Sequence, residues 1–257
     1  RIFSQDKKYT LDELIKDGYD TKLSAFEVLL PALIANFQKD AQAQEPKFKD
    51  LEAPIQVLKN WNYYSNVNSV ATTLANEWAF KLNPILQKVY IDEGEKDQVE
   101  NMTEFAKTAG IDDMLPQLRE VIQELQTKFG KWEIPWGDIN RFQRPSGDID
   151  LTYDDNKESL AMGTASVLWG SLPAFKSSYQ NNSKKRYGYN GNSFICAVEF
   201  GPKIKAKSLL AGGNSGDPNS KHFFDQAKMY QNAQFKDVLF YKEDVQKNAE
   251  KTYHPGE

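Results

Sequence analysis

The chain has 257 residues, 40% of them apolar and 26% charged, which suffices for the core of one large domain or two smaller ones and is ordinary for a globular protein. A net charge of −4 leaves no basic surplus for a nucleic-acid backbone or an anionic membrane surface. No apolar run approaches the ~20 residues needed to cross a bilayer; the longest, residues 25–37, is broken by Glu27 and Pro31.

In chain order, Thr10-Leu11-Asp12-Glu13 reads as a capping box, in which the threonine hydroxyl accepts from the third helical N–H and the glutamate reaches back. Ser24-Ala25-Phe26-Glu27 reads as a second one, opening a helix with Phe26, Leu29, Leu30, Leu33, Ile34 and Phe37 on one face. Pro31 is expected to kink that helix or shift its start. Residues 51–60 read as a short helix. Residues 66–89 read as the longest, with Val67, Val70, Ala71, Leu74, Trp78 and Leu82 recurring at threes and fours. Residues 92–97 read as a charged, solvated loop. Asp112 and Asp113 then place negative charge at a helix start, where the dipole favours it, and that helix stops at Gly130.

After Gly130 the texture changes. Trp132, Trp136, Phe142, Tyr153, Trp169, Phe175, Tyr179, Tyr187 and Tyr189 are spread through segments rich in Gly, Pro, Asp and Asn, which predicts short strands and long loops. The expected division is therefore a mainly helical lobe over residues 1–130 and a β-rich part over residues 131–257. Residues 193–200, bounded by Gly191 and Gly201-Pro202, read as a strand, and residues 204–211 pair with it as a hairpin. Residues 212–220 hold three glycines, a proline, two asparagines and an aspartate, too many breakers for regular structure. Helical spacing resumes over residues 222–231.

This last stretch carries a family resemblance. Gly191-Asn192-Ser193-Phe194, then a strand, then Asn214-Ser215-Gly216-Asp217-Pro218 with Ser220, His222, Asp225 and Gln226, resembles the C-terminal end of the β chain in penicillin acylases and acyl-homoserine-lactone acylases. One departure is Asn214, where the family usually has Gln; an amide is kept. Trp136-Gly137-Asp138-Ile139-Asn140-Arg141 is similar to the Trp-Gly-acidic motif that returns the chain to the sheet in that family. Residues 53–61 and 74–78 resemble its helical insertion, and residues 1–15 resemble the segment after its oxyanion-hole asparagine.

The resemblance implies an α+β chain: a helical lobe followed by strands and helices that form part of an αββα N-terminal-nucleophile hydrolase sandwich. It implies hydrolysis of N-acyl amides, either β-lactam side chains or acyl-homoserine lactones. In such enzymes an N-terminal serine attacks, its own α-amino group accepts the proton, and a backbone N–H with an asparagine amide holds the oxyanion. Those groups lie upstream of the segment matched, so no catalytic or cofactor-binding residue is assigned here. Asn192, Ser193, Asn214, Ser215, Asp217, His222, Asp225 and Gln226 are candidates for structural or near-site roles only. Calcium is possible in the full-length enzyme, with no ligands in this chain. The implied partners are the N-terminal part of the β chain, the α chain of the same precursor and a small N-acyl amide substrate; the implied location is periplasmic or secreted, in bacteria. Beginning at Arg1 rather than methionine, the chain is expected to be a piece of something longer, and inactive alone.

Other candidates are weighed against plainer readings. Cys196 is the only cysteine, so an internal disulfide and a thiolate metal cluster are excluded; between Ile195 and Ala197 it reads as a buried structural thiol rather than a nucleophile. Gly170-Ser171 imitates an autocleavage junction, but Leu172-Pro173 follows, and the pair reads as a turn leaving a strand. His222 with Asp225 fits capping or packing at a helix start, and His254 fits an exposed tail. Asp148, Asp150, Asp154 and Asp155 form an acidic cluster without calcium-loop spacing, hence a solvated turn. Residues 214–217 suit an anion nest or, better, a scaffold that closes the sheet and caps the next helix. Loop aromatics suit a sugar platform or plugs for a thin core. A non-catalytic secreted ligand-binding module and a degenerate acylase-fold protein remain the rival functions.

Overall fold

The computed structural model describes residues 2–4, 6–93, 97–146, 152–180, 182–254 and 256. The chain is α+β, helices dominating up to Gly130 and strands thereafter. It divides into two compact units, Asp20–Gly191 and the combination of Arg1–Tyr19 with Asn192–Glu257. The change from helix to strand thus follows Gly130, whereas the compact units meet at Tyr19/Asp20 and Gly191/Asn192.

The unit Asp20–Gly191 is built on a helical core. Helix α2 (Phe26–Ala41) buries Phe26, Leu29, Leu30 and Leu33 on one stripe. It runs through Pro31, which lies on the exposed side, where water can serve the carbonyl left without a donor. The capping box expected at Ser24 does not form: α2 starts at Phe26 without a side-chain cap, because Glu27 is drawn to Lys22 Nζ at 2.6 Å and the Ala25 N–H donates to the Trp169 carbonyl. A short 3₁₀ turn, Lys49–Leu51, leads into α3 (Glu52–Lys59). Buried Asp40 clamps the approach, its carboxylate accepting from the Lys47 and Phe48 N–H groups at 3.0 and 2.8 Å.

The longest helix, α4 (Val70–Glu93), begins four residues later than its periodicity suggests. Asn66 folds an Asx turn onto the Asn68 N–H, and Ser69 Oγ accepts from the Thr72 N–H, so Ser69 is the residue that opens the helix. Leu74, Ala75, Trp78, Ala79 and Leu82 are fully buried. Because α4 reaches Glu93, Asp92 is helical rather than part of a loop; residues 94–96 lie outside the described residues. Asp97 caps α5 (Gln98–Thr108), a helix the periodicity did not flag, by accepting from the Val99 and Glu100 N–H groups. Helix α6 (Ile111–Phe129) carries the expected acidic first turn, with Asp113 accepting from the Gly110 N–H at 2.7 Å, and ends at Gly130 with φ +78°, where glycine is the natural stop. Trp78 Nε1 donates to the Met114 carbonyl at 3.0 Å, pinning α4 to α6.

The Trp-Gly-acidic segment turns this core into a sheet. It forms a one-turn helix, α7 (Trp136–Ile139), followed at once by β1 (Asn140–Phe142). Gly137 is required by space: a Cβ there would stand 2.8 Å from the Val67 side chain and 3.0 Å from its carbonyl, which already accepts from the Gly137 N–H. Fully buried Asn140 donates to the Met162 and Thr164 carbonyls and accepts from Ser177 Oγ. With β2 (Leu160–Ala161), β3 (Phe175–Tyr179) and β4 (Arg186–Gly191), β1 makes a sheet of order β2-β1-β4-β3, in which only β1 and β4 run parallel. Arg186 of β4 is buried. Its guanidinium lies 3.2 Å from Glu77 of α4, donates to the Ser177 carbonyl, and sits 4.3 Å over the Phe80 ring. A buried charge of this kind persists only because pairing and hydrogen bonds offset its desolvation.

The second unit is much thinner. Helix α1 (Leu11–Gly18) opens with the full capping box at Thr10, but buries no side chain completely. It packs along β5 (Phe194–Glu199), which pairs antiparallel with β6 (Lys205–Leu210) as the predicted hairpin, Phe194 opposite Leu210 and Glu199 opposite Lys205. Helix α8 (Ala227–Gln231), strand β7 (Lys236–Asp237) and helix α9 (Lys242–Lys247) follow, with β7 completing the order β5-β6-β7. Ala197, Leu209, Ala227 and Tyr230 are its buried apolar residues. Tyr19 stacks edge-on against Phe235 at 5.8 Å, and burial pushes the Tyr230 hydroxyl up to about 12.

Candidate functional site

The residues that carried the resemblance fall on one loop and its two anchors. Asn192 and Ser193 precede β5 and are exposed; the Ser193 carbonyl accepts from the Ala211 N–H at 3.0 Å, fastening the open end of the hairpin. The loop then leaves β6 and folds back on itself. Gln226, 6% exposed, is its clasp: Oε1 accepts from the Leu210 N–H and Nε2 donates to Asn214 Oδ1, both at 3.1 Å, while its own N–H donates to the Gly212 carbonyl. The Ser215 N–H donates to the His222 carbonyl. Ser215 Oγ accepts from the Asp217 N–H and Asp217 Oδ1 from the Asn219 N–H, two local turns that hold the exposed tip.

Gly213 is the position this closure depends on. A Cβ there would meet the His222 carbonyl at 2.1 Å, Asp225 Oδ1 at 2.7 Å and the Phe223 carbonyl at 2.9 Å. No side chain fits against backbone that close. His222 and Asp225 themselves form an exposed pair, Nδ1 to Oδ2 2.8 Å. The helix expected over residues 222–231 is shorter than its spacing implied. Residues 222–225 are turns, because their backbone is committed to the loop through the Ser215 and Ser220 bonds, and α8 begins only at Ala227. The Ser215 and Asp217 N–H groups are thus spent on a carbonyl and a hydroxyl of the loop itself, as in a scaffold.

The remaining candidates sort by burial. Ser171 is 3% exposed and its hydroxyl donates to the Pro173 carbonyl, so it is a buried turn residue; Gly170 before it, at φ +108°, follows a 3₁₀ turn (Val167–Trp169) rather than the strand expected there. Cys196 is exposed, not buried. Alternation places it with Phe194 and Val198 on one face of β5, while Ile195 and Ala197 take the other face. Phe200 continues the first face; Phe194 is 61% and Phe200 84% exposed. Of the acidic cluster, Asp148 and Asp150 lie outside the described residues. Asp155 is no solvated turn residue: it accepts from Ser183 Oγ, the Lys184 N–H and the Tyr187 hydroxyl. Burial raises its carboxyl, but these bonds and the Lys185 charge outweigh burial and hold it below the usual carboxylate range. Among the described residues no three His, Cys, Asp or Glu side chains converge as a metal site, and His254 is exposed. Trp136 and Trp169 are buried as core plugs, whereas Tyr189 is 47% exposed. A depression of about 380 Å³ along α5, lined by Val99, Glu100, Thr103, Glu104 and Lys107, contains none of the motif residues.

The family model for penicillin amidase matches residues 1–247, both units and the whole loop included. The chain belongs to the penicillin amidase family. Among solved structures it is similar to a thermostable penicillin G acylase from Alcaligenes faecalis, at 14% identity and a TM-score of 0.45, over 96% of this chain and 49% of that one. The chain therefore spans about half the length of that acylase. Membership makes it part of an amide-hydrolase family, and no helix among the described residues is long and apolar enough to cross a membrane. Gln226 stands immediately before α8 and faces the end of β6 sixteen positions earlier, a long-range pairing that no local pattern signals.

Proposed function

We propose that this chain is the C-terminal portion of the β chain of a penicillin-acylase-like hydrolase of the N-terminal-nucleophile type. It cleaves N-acyl amides, of the β-lactam side-chain or acyl-homoserine-lactone kind, when joined to the rest of its precursor. The observation that carries the reading is the family match across residues 1–247. The nucleophilic serine, its α-amino base and the oxyanion asparagine are supplied by the N-terminal part of the β chain, and this chain supplies strands and helices to the αββα sandwich. The exposed apolar face of β5, with Phe194, Val198 and Phe200, supports a further protein layer there, since apolar sheet faces of this kind mark interaction surfaces. The loop clasped by Gln226 fixes the end of that sheet, so its part in catalysis is to position and not to react. By family, the whole enzyme works in the periplasm or outside a bacterial cell.

The test is to express this chain alone and with the remainder of its precursor, then assay phenylacetyl amides and acyl-homoserine lactones while recording intact masses. The expected result is no hydrolysis by the chain alone, and hydrolysis by the complex together with a processed chain that begins with serine. Hydrolysis by the chain alone, or a processed complex inert toward both amide classes, overturns the proposal.

A further inference from the structure

We draw no further inference here: the strongest candidate, the exposed apolar face that Phe194, Cys196, Val198 and Phe200 give to the three-stranded sheet, belongs to the partner contact already proposed, and nothing else in the structure shows what covers it.

Discussion

Replacing Gln226 by leucine separates the polar closure of the loop from its packing. Leucine keeps most of the buried volume but removes both hydrogen bonds, to the Leu210 N–H and to Asn214 Oδ1. Each such bond contributes about 0.5–1.5 kcal/mol net, and a half-buried N–H left without a partner costs about 1–3 kcal/mol. Asn214 is exposed, so water replaces that half of the loss, and Leu210 is not. The expected cost is therefore about 2–3 kcal/mol, borne by a unit with few buried apolar residues. If that unit melts by itself, its midpoint falls by roughly 10–20 °C, at about 4–8 °C per kcal/mol for a domain of this size. The assay is urea unfolding together with hydrogen exchange over residues 205–231. A leucine variant as stable as the wild type, with unchanged exchange over this stretch, would refute the clasp.

Gly213→Ala should destabilise the same loop by about 1–3 kcal/mol, because its Cβ meets three backbone or carboxylate oxygens; unchanged exchange over residues 212–226 would contradict this. Arg186→Met or Glu77→Leu alone leaves one charge buried without its partner, at about 3–5 kcal/mol. The double variant should recover most of that loss, and a double-mutant cycle by urea unfolding decides it. Asp155 has a folded carboxyl below its ordinary ~3.9, so its stabilisation is present above that value and is lost as pH falls through the lower folded value. Asp155→Asn should accordingly flatten the stability profile below about pH 4; a variant that keeps the wild-type acid limb would show that other carboxylates carry it. Amides of α4 around residues 74–82 should exchange far more slowly than those of β5 and β6, since exchange protection follows buried apolar packing. Equal protection would mean that the second unit draws stability from something other than its own core.

What the sequence disclosed was whatever rests on neighbours in the chain. Thr10 with Glu13, the acidic first turn at Asp112 and Asp113 and the stop at Gly130 are local chemistry, and each stands where it was read. The same Ser-x-x-Glu pattern failed at Ser24, because Lys22 competed for Glu27 and a carbonyl from Trp169, far along the chain, took the Ala25 N–H. Helix α5 was missed because its start rests on one residue, Asp97, in a run of charges that reads as solvated loop. Cys196 was misjudged for a different reason: period-2 alternation says which residues share a face, but not which face is covered. At the candidate site, the loop and its glycines were legible as composition, and the motif as a resemblance. The Gln226 clasp and the Asp155 network were not, because their partners lie across a loop or on another strand.

The smaller unit is assembled from the two ends of the chain, with the larger one inserted between them. Asp12 of α1 finds its partner, Lys207 of β6, only 195 positions later. During synthesis, therefore, α1 is made before the whole of Asp20–Gly191, and the strands it packs with only after it. An eight-residue helix is marginal in water by itself, so α1 stays without its packing partner until β5 and β6 have been made. Contacts of such separation close slowly. The smaller unit should thus gain its exchange protection only after the larger one has closed, once β5 and β6 are present to receive α1.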